Sequence, residues 1–156
     1  MRQPVLHMMK MLYGLLGVSA CLWAQAADFA YLTNQGEHTV SVIDMQQQAV
    51  IRTIMLPIAP VGLTVNQRGD RLYVADWYHD HVLVVAAESG RVMAQIHVGH
   101  APGGLQLGRD DTISYVANRD SNDVSVIDIR VHKERTRIAV GAQPRAFGQF
   151  VGNESR

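Results

Sequence analysis

A chain of 156 residues that carries 14 Lys+Arg and 14 Asp+Glu has no net charge, which disfavours nucleic acid or an anionic lipid surface as its partner. Apolar residues make up 47% and charged residues 18%, enough hydrophobicity for a packed core and too little charge for wholesale disorder. The one cysteine, Cys21, sits in an apolar N-terminal stretch, so the body can hold no intramolecular disulfide, all-cysteine zinc site or thiol nucleophile.

Residues 1–26 read as an export signal. Arg2 and Lys10 supply the positive end, Met11 to Trp23 the apolar stretch, and Ala24-Gln25-Ala26 the small residues of a cleavage site. The body then begins at Ala27 in a periplasmic or secreted location. With Arg2 and Lys10 gone, 12 basic residues face 14 acidic ones, so that body is faintly acidic. A transmembrane anchor needs about 20 apolar residues, and Met11 to Ala24 is shorter and contains two glycines. Val18-Ser19-Ala20-Cys21 resembles a lipobox, so a lipoprotein anchored to a membrane through Cys21 is the alternative route.

Beyond the leader the chain repeats with a step of 42 residues. Tyr31, Tyr73 and Tyr115 keep that step, as do Asn34, Asp76 and Asn118, and Val40, Val82 and Val124. Ile54, Ile96 and Ile138 follow it, and so do Pro60, Pro102 and Pro144. Within a unit, short segments rich in β-branched residues alternate with turn formers. Val61–Val65, Leu72–Asp76, Val82–Val85 and Val92–Val98 predict four strands per repeat. Arg68-Gly69-Asp70 reverses the chain between two of these strands and reads as a turn rather than an adhesion tripeptide; Ser89-Gly90 closes another. Asn34, Asp76 and Asn118 end the second strand, where a short polar side chain can bond the next backbone amides and start a turn.

These units resemble the repeats of about 40 residues of YVTN-type β-propeller proteins, many of them bacterial and extracytoplasmic. The matching cores are Tyr31-Leu32-Thr33-Asn34 with Val40-Ser41-Val42-Ile43-Asp44, and Tyr115-Val116-Ala117-Asn118 with Val124-Ser125-Val126-Ile127-Asp128. The middle copy, Leu72-Tyr73-Val74-Ala75-Asp76, departs from the pattern in carrying Ala86 where the others have aspartate. The resemblance implies an all-β fold of four-stranded antiparallel blades over residues 27–156. Phe29 to Met55 supplies the second to fourth strands of one blade, residues 56–98 and 99–140 two whole blades, and Arg145 to Val151 one more first strand. Three blades fall short of the four to eight of single-chain propellers. A homodimer of six blades, each chain's 145–151 completing its partner's first blade, is therefore an expectation.

In such a blade the loop between the second and third strands and the loop into the next blade open on one face. His38, Trp77, Tyr78, His79, His81 and Arg119 belong to the first kind or its borders, His100 and Arg145 to the second, with His97 just before His100. This face is the expected ligand or partner surface. His79, His81 and His100 are the candidate ligands for copper or zinc, since alternate residues of an extended segment can point the same way; the bland alternative is a polar rim that holds no cofactor. Asp110-Asp111 falls on the opposite face as a solvated hairpin, Gly103-Gly104 suits close packing at the axis, and Asn153-Glu154-Ser155 fits a glycosylation sequon in a fraying tail. No glycine-flanked nucleophilic serine, phosphate loop or recurring axial acid pair occurs. The leading expectation is thus a non-catalytic exported binding or scaffold module for a protein or small ligand. The alternatives are a periplasmic accessory of a quinoprotein or metal-dependent oxidoreductase, and a propeller hydrolase.

Overall fold

In a computed structural model that describes residues 28–152, eleven strands and one short 3-10 turn form three antiparallel sheets. The first holds β1 (Phe29–Asn34), β2 (Thr39–Asp44) and β3 (Ala49–Met55), with the 3-10 turn Gln35–Glu37 between β1 and β2. The second runs β4 (Pro60–Val65), β5 (Arg71–Asp76), β6 (His81–Ala86) and β7 (Val92–His97). The third runs β8 (Pro102–Leu107), β9 (Ile113–Asn118), β10 (Asp123–Asp128) and β11 (Lys133–Ala139). Each strand pairs only with its sequence neighbours, the meander that defines a propeller blade, and the molecule is a partial β-propeller.

The predicted strands of the middle repeat all form, within a residue of their expected ends. Arg145 to Val151 differs: it joins none of the three sheets. It runs instead along β8, held there by the Gln106 side chain, which accepts hydrogen bonds from the Phe150 and Val151 amides at 2.6 and 2.8 Å. The first sheet thus stays at three strands, with β1 at its inner edge.

Burial follows from stacking. The second sheet is covered on both faces, which is why β5 and β6 read as unbroken apolar runs, Leu72-Tyr73-Val74-Ala75 and Val82-Leu83-Val84-Val85. One face of β5 and β6 (Leu72, Val74, Leu83, Val85) packs on Val40, Val42 and Ile54 of the first sheet. The other (Tyr73, Ala75, Val82, Val84) packs on Leu105, Val116 and Ile127 of the third. The outermost strand β11 faces water and is correspondingly polar, Lys-Glu-Arg-Thr-Arg.

At the inner edge the sheets meet backbone to backbone. A Cβ added at Gly62 of β4 would lie 1.8 Å from the Gly103 carbonyl oxygen, and one at Gly104 of β8 would lie 2.1 Å from the Ala146 oxygen. The expected tight packing of Gly103-Gly104 at the axis is therefore what the structure contains. The repeat also reaches into the backbone: His38, Asp80 and Asn122, 42 residues apart, all have φ between 55° and 58°. Gln48, Gly90 and His132, also 42 residues apart, share a positive φ of 51°, 71° and 52°. Ala86, which cannot cap a turn with its side chain, sits in the copy that has glycine at this left-handed position, and Gly90 donates to the Ala86 oxygen at 2.9 Å.

Tyr73 is 1% exposed, whereas the His79 side chain is 67% exposed. Tyr73→Ala is expected to lower stability by about 3–5 kcal/mol, as for a truncated core aromatic, and His79→Ala by under about 0.5 kcal/mol, as at an open surface. Urea unfolding of both variants checks this; equal losses would contradict the stacked-sheet core.

Candidate functional site

The loops that carry the candidate residues lie at one end of the sheets. Backbone bonds tie them together: Leu56 donates to the His38 oxygen at 2.8 Å, Val98 to Asp80 at 3.0 Å and Val140 to Asn122 at 3.0 Å, the same bond in each repeat. Every loop between the second and third strands of a blade thereby holds the segment that leaves for the next blade.

The polar residues that end the second strands do this work in two ways. Asp76, an acceptor only, behaves as expected of a turn starter: its Oδ1 accepts from the Tyr78 amide at 3.2 Å, and its Oδ2 lies 2.8 Å from His79 Nδ1. Asn34 and Asn118 carry a donor amide and use it across the strand pair instead. Asn34 Nδ2 donates to Thr39 and Ser41 hydroxyls at 3.0 and 2.8 Å, and Asn118 Nδ2 to Asp123 Oδ1 and Ser125 Oγ at 2.6 and 2.8 Å.

The candidate histidines share this end of the molecule, but His79, His81 and His100 each have a separate partner. His79 pairs with Asp76, His100 Nδ1 lies 2.7 Å from Asp80 Oδ2, and the His81 ring lies against His97 with centroids 5.0 Å apart. His38 caps the 3-10 turn in the first sheet and is exposed. Among the described residues no three His, Cys, Asp or Glu side chains are grouped to hold a metal ion, and His79, His81 and His100 each have a separate contact. Cys21 and Asn153 to Ser155 lie outside the described residues.

The feature that the sequence does not announce is a groove of about 570 Å3 along the axial edge. Its floor is β4 and β8, from Val61 to Thr64 and Gly103 to Gln106, and its far wall is the segment from Pro144 to Gln149. Trp77 and Arg119 close its upper end. They occupy the same phase of the repeat, directly after Asp76 and Asn118, and the repeat turns both toward the axis. Trp77 crosses to the next sheet, where a Cβ on Gly103 would be 3.3 Å from its ring, so glycine there makes room for the indole. Arg119 Cζ stands 5.9 Å from the Trp77 ring centroid, within cation–π range. Its terminal nitrogens donate to Asp120 Oδ1 at 2.6 Å and to Gln143 Oε1 at 2.9 Å, while its Nε is buried with no hydrogen-bond partner. Arg145 lines the groove from the opposite wall and is exposed; Tyr78, also exposed, turns outward to meet Gln35 Nε2 at 3.3 Å.

Asp80 fastens the loop beneath this groove to the connection between the second and third sheets. Its Oδ1 accepts from the Ala101 amide at 2.9 Å, where Ala101 has φ of 52°. Burial pushes the Asp80 carboxyl up, but the Ala101 amide and His100 outweigh it and hold the pKa below the ordinary carboxylate value. Asn122 repeats the contact one blade on, its Oδ1 accepting from the Gln143 amide at 2.8 Å.

No protein-family model matches the chain. Among curated proteins it is similar to the Bos taurus NHL repeat-containing protein 2, 28% identical over 85 residues, which cover 45% of this chain and 12% of that protein. Among solved structures it is similar to Kuenenia stuttgartiensis hydrazine synthase, with a TM-score of 0.67 at 27% identity over 73% of this chain and 33% of that one. Apo AztD from Citrobacter koseri gives a TM-score of 0.59 at 21% identity, covering 76% of this chain and 34% of that one. A protein of unknown function from Desulfotomaculum acetoxidans gives 0.64 at 12% identity over 74% and 38%. The chain thus spans about a third of the length of these structures. Together with the meander of three sheets, these likenesses identify a β-propeller repeat protein. Among the described residues no helix is long and apolar enough to cross a membrane.

Because the folded Asp80 pKa is depressed, the unfolded chain takes up the proton first. The stability that this latch contributes is full above about pH 4 and is lost as pH falls through the folded value. Asp80→Asn is expected to destabilise most at neutral pH, with the gap to the native chain closing on acidification. Thermal unfolding of both between pH 7 and pH 2 checks this, and a gap that stays constant would contradict it.

Proposed function

We propose that this chain is a non-catalytic, exported binding module of the YVTN type, and that its ligand site is the axial groove closed by Trp77 and Arg119. The observation that carries the reading is the pairing of these two side chains at the end of a 570 Å3 groove whose floor is glycine-lined backbone. That volume suits a small organic ligand. The indole offers a flat apolar face, and the exposed Arg145 and partly exposed Arg119 offer positive charge from two walls. The unpartnered Arg119 Nε adds a donor whose desolvation is uncompensated. The ligand class that fits is a compact aromatic carboxylate. Export rests on the leader of residues 1–26 with its Ala24-Gln25-Ala26 site, and the non-catalytic reading on the lack of a nucleophile or acid pair along the groove. An accessory role beside an oxidoreductase is the second reading, and its support is the 27% likeness to hydrazine synthase.

Calorimetric titration with 2-naphthoate, and with its uncharged amide, tests the groove. Saturable binding of the carboxylate is expected, at least tenfold tighter than the amide, with about a tenfold loss for Trp77→Ala and for Arg119→Gln, or about 1.4 kcal/mol each. Absence of saturation, or affinity undiminished from the native chain in both variants, would overturn the reading.

A further inference from the structure

The two outer faces of the stack are halves of a contact that the chain already makes twice. A face led by tyrosine (Tyr31 with Val40 and Val42) packs on Leu72, Val74 and Leu83 of the next sheet. The same face one repeat on (Tyr73 with Val82 and Val84) packs on Val116, Leu105 and Ile127. The third copy of the tyrosine face, Tyr115 with Val124 and Val126, is only half-buried, although its counterparts Tyr73, Val82 and Val84 are 1%, 1% and 0% exposed. Ile138, the counterpart of the buried Ile96, is 49% exposed. At the other end, Leu32 holds the place of Val74 and is 50% exposed where Val74 is 0% exposed.

The inner edge carries the same complementarity. β5 and β9 each pair with an inner strand, β4 and β8, in one register: Leu63 opposite Val74, and Leu105 opposite Val116. Among the described residues β1 has no inner partner, and residues 144–149, in phase with the inner strands Pro60–Val65 and Pro102–Leu107, join no sheet. Moving the observed register by whole repeats sets Phe147 opposite Leu32 and Gln149 opposite Ala30. Phe147 is 83% exposed, the largest exposure among the large hydrophobic side chains of the described residues, and its counterparts Leu63 and Leu105 lie in the two cores.

We infer that the occupant of both faces is a second copy of this chain, whose β1 adds to residues 144–149 and whose first sheet packs on the Tyr115 face. One such contact is head to tail. Two of them, related by a two-fold axis along the propeller axis, close a ring of six blades, within the range that closed propellers adopt. The added strand would fix Pro144 to Gln149, the far wall of the axial groove, so ring closure completes that wall. The inference stands apart from the ligand reading, because it is tested by mass rather than by binding.

The body contains no cysteine, so a cross-link can be placed at will. Residues opposite each other on antiparallel strands have Cα atoms about 4.5–5.5 Å apart, within reach of a disulfide. The full chain carrying Cys21→Ser, Leu32→Cys and Phe147→Cys is expected, on mild oxidation, to run as a covalent dimer that reduction returns to monomer. Light scattering on the unsubstituted chain is expected to give twice the chain mass. A monomer in light scattering, or a cross-linked ladder beyond the dimer, would overturn the inference.

Discussion

The axial edge is where this fold is decided. β4 and β8 approach until the Gly103 oxygen occupies the space that a side chain on Gly62 would need, and Ala146 approaches β8 at Gly104 in the same way. Only residues without side-chain bulk permit that distance. Everything outward follows from it: the sheets fan from the axis, their faces come within packing distance, and the second sheet is covered on both sides. The cores then contribute the bulk of stability through aliphatic contacts, with Tyr73 the largest side chain buried in them.

The same edge makes the groove. Gly62, Gly103 and Gly104, which let the strands approach, also leave room in the floor between its other side chains, and that room accepts what the flanking loops present. Here they present Trp77 over Gly103 and Arg119 over Trp77. The loops are held at that height by the bonds from Asp80 to Ala101 and from Asn122 to Gln143, which fix the chain where it passes between blades. Fold and site therefore share their supports, and the polar residues of the loops serve both.

Much of the fold can be read from the period of 42 because each repeat must present the same side chains to the same neighbours. Tyr, Val and Ile recur at the positions that fill the space between sheets, and the polar residue after each second strand recurs because the strand ends there. The left-handed positions were not legible: His38, Asp80 and Asn122 share a backbone geometry with no glycine to mark it. Nor was the meeting of Trp77 and Arg119 at the axis. Repeat comparison finds what is alike, and the phase that puts Trp77 and Arg119 at the groove carries Gln35 in the first sheet, so the three residues are unlike. The histidines show the opposite case. Their loops do share one end of the molecule, but nearby carboxylates, Asp76 and Asp80, and the His81 to His97 contact each claim a ring separately. Sequence spacing cannot show such local partners.

The backbone contact at the axis is tested most directly by adding one methyl group to it. Gly62→Ala places a Cβ against the Gly103 carbonyl, whereas Gly36→Ala, in the loop after β1, places one where no atom lies within 4 Å. Urea unfolding of the two variants beside the native chain should show Gly62→Ala destabilised by about 1–3 kcal/mol, as for an overpacked core position, and Gly36→Ala within about 0.5 kcal/mol of native. If Gly62→Ala unfolds at the native midpoint, the inner strands do not meet as described, and the groove built on their contact falls with them.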